Sequence, residues 1–420
     1  MKEKYIYFYY IVLLLVLVSW TNPNTSPSFM VRLLYMASLF LPTVIWKQSW
    51  FPAVFTCFVS ISQYGISYSY LPETISLFLW LTLAIYVVRK NKSRLPIFPQ
   101  SIYFLLAYVA IVSITADFNI YHIVYALGIV CLISFLFDAN YHDAEKKLSM
   151  AFIVTTIVLC YYFIAFKDTF SVAYKYGVDL DRIGWTDPNY LGCVIGMGAM
   201  CCAVKIFDGQ IKGYIRTLLI FILGLACIVM IMNASRGALL ALSSGIAVLL
   251  FTSKIKPLYK TTAVISILIF LYYLYNNSYF DLLEYRIDND ETGSGRSIIW
   301  SGRLSAFFTN NPFYQIFGYG YDASMTLGTN KRIGSHNDYI AFLVEYGYIG
   351  FALFINMLIY PLIKVIKQVN KSPIVISLCV YLLMCSSTLE PLSLGRIPYY
   401  MFYMYIMIVV NKIYCKNKIE

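Results

Sequence analysis

Apolar runs of about 15–20 residues recur from one end of this chain to the other, separated only by short polar punctuation. Runs of that length and composition read as membrane-spanning helices. Backbone polar groups in lipid must be satisfied within the structure, and helices do this segment by segment. That constraint removes ordinary soluble folds from consideration. The 420-residue chain is 13% charged and 60% hydrophobic, whereas soluble domains carry roughly twice that charged share. We read an all-α, polytopic membrane helical bundle of about 14 transmembrane helices (range 11–14).

The expected spans are 5–20, 29–46, 51–67, 74–88, 102–116, 120–137, 148–166, 189–207, 217–232, 237–253, 261–276, 337–363, 373–389 and 398–411. The run Tyr5–Trp20 has no small-residue cleavage site after it and is kept as the first span. Residues 1–420 form a single integral membrane domain on this reading. Both termini are cytoplasmic, with extracytoplasmic loops at 167–188 and 276–336. Charge placement supports the arrangement, because every inner connection carries Lys or Arg. The net charge of +11 is therefore a topology signal and does not imply nucleic acid. All ten cysteines fall in apolar runs or on the inner side, with neither metal-site nor disulfide spacing.

The two sides differ in the kind of cation they hold. Eighteen of the twenty-one inner basic residues are lysine, while seven of the ten outer ones are arginine. Lysine suffices to set orientation. Guanidinium also binds phosphate and carboxylate through a planar, two-pronged hydrogen bond. Within the long outer loop, 296–309 can form a helix with Arg296, Ile299, Trp300, Arg303 and Phe307 on one side. Such a mixed face suits the lipid headgroup level.

Ser235-Arg236-Gly237 lies where one span turns into the next at the outer face. Ser235 is placed to cap the following helix, whose first amides would make an anion site with Arg236. His336 immediately precedes a span at the end of the long loop, where an imidazole can take a proton from a hydroxyl near neutral pH. Glu345, nine residues on, falls on the opposite face of that helix and is not its carboxylate partner; Asp338 shares the Glu345 face. Gly347 and Gly350 read as points of close helix packing. The pairs Asp179/Asp181 and Asp288/Asp290 resemble the metal-holding aspartates of enzymes that use nucleotide sugars, but both lie outside, where nucleotide sugars are not available. The second pair also lacks the later glutamate of a calcium loop, and three histidines make no zinc pattern. No metal and no cofactor are expected.

These residues resemble the O-antigen ligase/polymerase family of bacterial membrane glycosyltransferases, of GT-C type. The matching motifs are Ser235-Arg236-Gly237-Ala238-Leu239-Leu240; Gly295-Arg296 with Trp300, Asn311-Pro312 and Gly318-Tyr319-Gly320; and His336-Asn337 with Glu345, Gly347 and Gly350. Arg182 with Asp187-Pro188-Asn189 resembles a weaker upstream motif, so the likeness covers roughly 180–355. It implies a metal-independent transferase acting on undecaprenyl-diphosphate-linked oligosaccharide at the periplasmic face of the bacterial inner membrane. His336, Arg236 and Arg296 would be catalytic; Arg182, Arg303, Arg332 and Asn337 would bind substrate. A chain-length regulator and a flippase of the same pathway are the protein partners it implies.

Polymerase and ligase share these motifs and differ in acceptor: another lipid-linked repeat unit, or lipid A-core. The divergent loops and 39 tyrosines favour a polymerase with a surface for stacking on one sugar repeat, of an O-antigen or related surface polysaccharide. A flippase or transporter is the reading of another class. Its signatures, midplane charges and inverted repeats, are not apparent in the sequence.

Overall fold

A computed structural model describes residues 100–116, 141–165, 188–207, 211, 213–253, 255–281, 283–284, 295–328, 333–366, 372–390, 392 and 397–416. The expected spans at 5–20, 29–46, 51–67, 74–88 and 120–137 lie outside these residues, as do Arg182, Arg332 and both aspartate pairs. Every described element is helical. In chain order they are α1 (Gln100–Ala116), α2 (Tyr141–Ala165), α3 (Pro188–Phe207), α4 (Tyr214–Met232), α5 (Arg236–Thr252), α6 (Pro257–Asn276), α7 (Arg296–Thr309), α8 (Pro312–Phe317), a 3₁₀ turn (Ala323–Met325), α9 (Asp338–Ile366), α10 (Pro373–Thr388) and α11 (Ile397–Lys416).

Five of the described helices are long and apolar enough to cross a membrane: Ala144–Ala165, Asn189–Phe207, Tyr214–Met232, Pro257–Asn276 and Asp338–Ile366. Ser101–Ser113, Arg236–Thr252 and Pro373–Thr388 are apolar but shorter. The described residues are thus all-helical, with helices whose length and composition suit a membrane. The total of about 14 spans also depends on segments outside the described residues.

The chain divides into two compact units, the first Met1–Ile75 with Asp143–Tyr285 and the second Ser76–His142 with Arg286–Glu420. In the first unit α3 is the buried centre, packed by α4 and α5. Its small residues explain how neighbours come so close. A β-carbon on Gly198 would strike the Phe152 carbonyl and the Thr156 hydroxyl of α2, and Thr156 donates to the Ile195 carbonyl at 2.8 Å. Gly192 does the same for α5, whose Ser235 and Ala238 press against it. By contrast, α6 buries only Leu274 among its residues.

In the second unit α9 is central and touches α1, α7, α8, α10 and α11. It was expected as one helix over 337–363. The structure breaks it at Gly347, whose φ 62° and ψ −167° lie in a region open essentially to glycine alone. The break would orphan the Val344 and Glu345 carbonyls, and the preceding loop supplies them. Tyr319 N–H donates to Val344 at 3.0 Å and Gly320 N–H to Glu345 at 2.9 Å. The turn Gly318-Tyr319-Gly320 is thus a plug in a broken helix, and Gly347 makes room for it beside Ile316 and Gly318. Gly350 does serve the close packing expected of it, against Tyr108 of α1. Tyr108 in turn donates to the Phe317 carbonyl of α8 at 2.9 Å.

Gly347→Ala tests this directly. The new β-carbon would lie 2.6 Å from the Gly318 nitrogen, at a backbone angle alanine resists. Strain alone costs of order 1–3 kcal/mol. The midpoint of thermal unfolding in detergent should fall, and an unchanged midpoint would refute the plug.

Candidate active site

In the first unit, α4 and α5 are joined by Asn233, Ala234 and Ser235. Asn233 N–H returns to Val229 at 2.8 Å, Ala234 to Ile231 at 2.8 Å and Ser235 to Met230 at 3.1 Å, which closes the end of α4. Ala234 takes φ 48°, where glycine is usual. The expected cap differs from what forms: Ser235 holds the N-cap position of α5, yet its side chain caps nothing. Pressed against Gly192, its hydroxyl is buried with no hydrogen-bond partner among the described residues. Arg236 follows as the first residue of α5, half-buried.

In the second unit, Arg296 holds the equivalent place in α7. Gly295 precedes it at φ 71°, and Arg296 is the first helical residue, half-buried. A cation at a helix N-terminus adds to the positive end of the dipole and disfavours the helix. Each of these helix starts sets a guanidinium beside the positive end of a helix dipole, an arrangement that suits an anion.

The expected face of α7 forms, with Ile299, Arg303 and Phe307 buried. Arg303 is fully buried and its guanidinium is occupied by backbone. Nη1 donates to the Leu327 carbonyl at 3.1 Å and Nη2 to the Ile333 carbonyl. Burial pulls this guanidinium below its ordinary value, and the negative charges of Glu390 and Glu345 oppose the shift. Arg303 was expected to grip substrate; in this geometry it ties both ends of the 327–333 stretch to α7.

His336 stands between that stretch and α9, half-buried, with φ 49°. A non-glycine residue pays roughly 1–2 kcal/mol for the left-handed region, so its surroundings must impose it. They do so from both sides. Trp300 Nε1 donates to the Ser335 carbonyl at 2.6 Å. The amide of Ser335 donates to Glu390 Oε2 at 3.0 Å and its hydroxyl to the same oxygen at 2.5 Å. After the histidine, Asn337 Oδ1 caps α9, accepting from Tyr339 N–H at 2.9 Å and Ile340 N–H at 3.2 Å, while its Nδ2 donates to the Ser387 carbonyl at 3.2 Å. Asn337 was expected to bind substrate; its side chain is committed to this cap. Asp338 N–H donates to Leu389 at 2.9 Å, and the Asp338 carboxylate accepts from Leu392 N–H at 3.0 Å. His336 Nδ1 itself is buried and finds no hydrogen-bond partner among the described residues.

Asp338 and Glu345 are each buried on α9 but have separate partners, Leu392 for the first and Ser324 for the second. Neither pairing involves the histidine. Among the described residues no group of three or more His, Cys, Asp or Glu could hold a metal ion.

The order and spacing of these parts can be set beside known families. Residues 219–355 match the O-antigen ligase family. The motif resemblance is thereby shown for that segment. The O-antigen ligase segment begins within α4, ends within α9, and carries Arg236, Arg296, Arg303, Arg332, His336 and Asn337. The match likens this segment to a family of membrane enzymes described as O-antigen ligases. No curated protein matches the chain at a significant level. Glu390 lies outside the O-antigen ligase segment and carries none of the sequence motifs. Its one visible signal is a carboxylate set between two apolar helices, where an ionisable group is costly.

Proposed function

We propose that the chain is a polymerase of O-antigen or a related surface polysaccharide, working in the bacterial inner membrane with its site facing the periplasm. It transfers glycan from undecaprenyl diphosphate to a sugar hydroxyl of another lipid-linked repeat unit. The observation that carries this reading is the O-antigen ligase match, because one segment contains Arg236, Arg296 and His336. In the transfer, the acceptor oxygen attacks the anomeric carbon and the bond from that carbon to the diphosphate breaks. His336 takes the hydroxyl proton, and undecaprenyl diphosphate departs with the bonding electron pair. A hydroxyl presented at Nδ1 would also satisfy a buried nitrogen that has no hydrogen-bond partner among the described residues. Arg236 and Arg296 supply positive charge as negative charge grows on the leaving diphosphate. No metal is written into the reaction because the guanidinium groups provide that charge. Arg182 and Arg332 are assigned to holding diphosphate or glycan, and a chain-length regulator and flippase are the proposed partners.

Transfer of finished polymer to lipid A-core is the second reading, favoured by the family's description as an O-antigen ligase. Deleting the gene and resolving the lipopolysaccharide on a gel separates the two. Core bearing a single repeat unit identifies a polymerase. Bare core, with polymer stranded on its carrier lipid, identifies a ligase and overturns the first reading.

A further inference from the structure

The geometry points to Glu390 as the positioning residue for His336, holding the histidine's backbone in its left-handed turn through Ser335. This inference rests on the proposed role of His336, yet it can be tested without any transfer assay. Glu390 is 1% exposed, and one of its oxygens takes both the amide and the hydroxyl of the residue immediately before the histidine. Hydrogen bonds to a charged acceptor are worth roughly twice those between neutral groups. The approach is close enough that Gly334 has no room for a side chain, since a β-carbon there would overlap the other Glu390 oxygen. That explains a glycine whose backbone angle does not require one.

The neighbours of Glu390 act in the same direction. Leu389 accepts from Asp338 N–H, and Leu392 donates to the Asp338 carboxylate, so the stretch after α10 grips the chain on both sides of His336. A non-glycine residue at φ 49° relaxes unless such contacts hold it. The backbone contacts alone leave Ser335 N–H without its acceptor once Glu390 is removed. Loss of the carboxylate therefore frees the turn at the one residue where its angle is unfavourable. Glu390 touches no substrate on this account; it bears on the chemistry through where it puts the imidazole, and its charge also favours the nearby Arg303 guanidinium.

The test measures the reaction of His336 with diethyl pyrocarbonate in membrane vesicles, followed by mass spectrometry of the peptide that carries it. Glu390→Ala should speed modification roughly fivefold or more, as a loosened segment exposes Nδ1 more often. Glu390→Gln keeps the length and one acceptor oxygen and should restore most of the protection. In parallel, Glu390→Ala should lower kcat for polymer formation with little change in KM for the lipid-linked donor. An unchanged modification rate in Glu390→Ala overturns the proposal. Faster modification with a normal polymer ladder upholds the frame and removes His336 from the chemistry, so the two ideas fail separately. If Glu390→Ala does not accumulate in the membrane, Ser335→Ala removes the hydroxyl's contacts with Glu390 and the Asn337 carbonyl and leaves the amide bond to Glu390. It should give a smaller rise in modification, and no rise would again overturn the proposal.

Discussion

His336→Ala is expected to abolish long-chain glycan while the protein still reaches the membrane in normal amount. Loss of a positioned general base typically lowers rate by 10²–10⁴-fold. Polymer length amplifies the loss, because each added repeat requires another transfer. Arg236→Ala and Arg296→Ala should give the same phenotype, since losing one stabiliser of developing charge costs about 10²–10³-fold. Insertion should survive in all three. His336 is half-buried and its Nδ1 bonds to no element among the described residues, and each arginine sits where it opposes its helix dipole. Lysine in place of either arginine should restore only part of the activity, because a point charge lacks the two-pronged grip on phosphate. The assay is the ladder of chain lengths on a lipopolysaccharide gel, with membrane protein measured alongside. Normal ladders from all three alanine variants would overturn the site.

These side chains were legible for physical reasons. Arg236, Arg296 and His336 stand at helix starts, and helix starts can be read from polar residues abutting an apolar run. The 296–309 helix was legible because Ile299, Arg303 and Phe307 recur at helical spacing, and those three are its buried residues. The break at Gly347 was not. A glycine in an apolar run reads as packing, and only the amides of Tyr319 and Gly320, arriving from a distant loop, turn it into a kink. Glu390 escaped for a similar reason. Its partner Ser335 lies 55 residues away, and no local spacing connects them. The Ser235 cap was expected from residue type alone, which cannot register that Gly192 would bring α3 against the hydroxyl.

Arg303→Met carries the largest expected cost in stability. Methionine fills much of the apolar volume of the arginine stem but donates nothing, so the Leu327 and Ile333 carbonyls lose their partner. Glu390 and Glu345, both buried, lose a nearby positive charge as well. Removing one member of a buried charged set costs about 3–5 kcal/mol. Arg303→Lys should recover only part of that, because one ammonium cannot reproduce a fork that meets two carbonyls at once. The measurements are the unfolding midpoint in detergent and the rate of protease cutting between 310 and 333. A clamp predicts a lower midpoint, faster cutting and loss of polymer together. Loss of polymer with a wild-type midpoint and wild-type cutting would mean the opposite: the guanidinium leaves its carbonyls during turnover and grips substrate. The first outcome follows from a side chain with no exposed surface, whose two terminal nitrogens are both engaged by backbone.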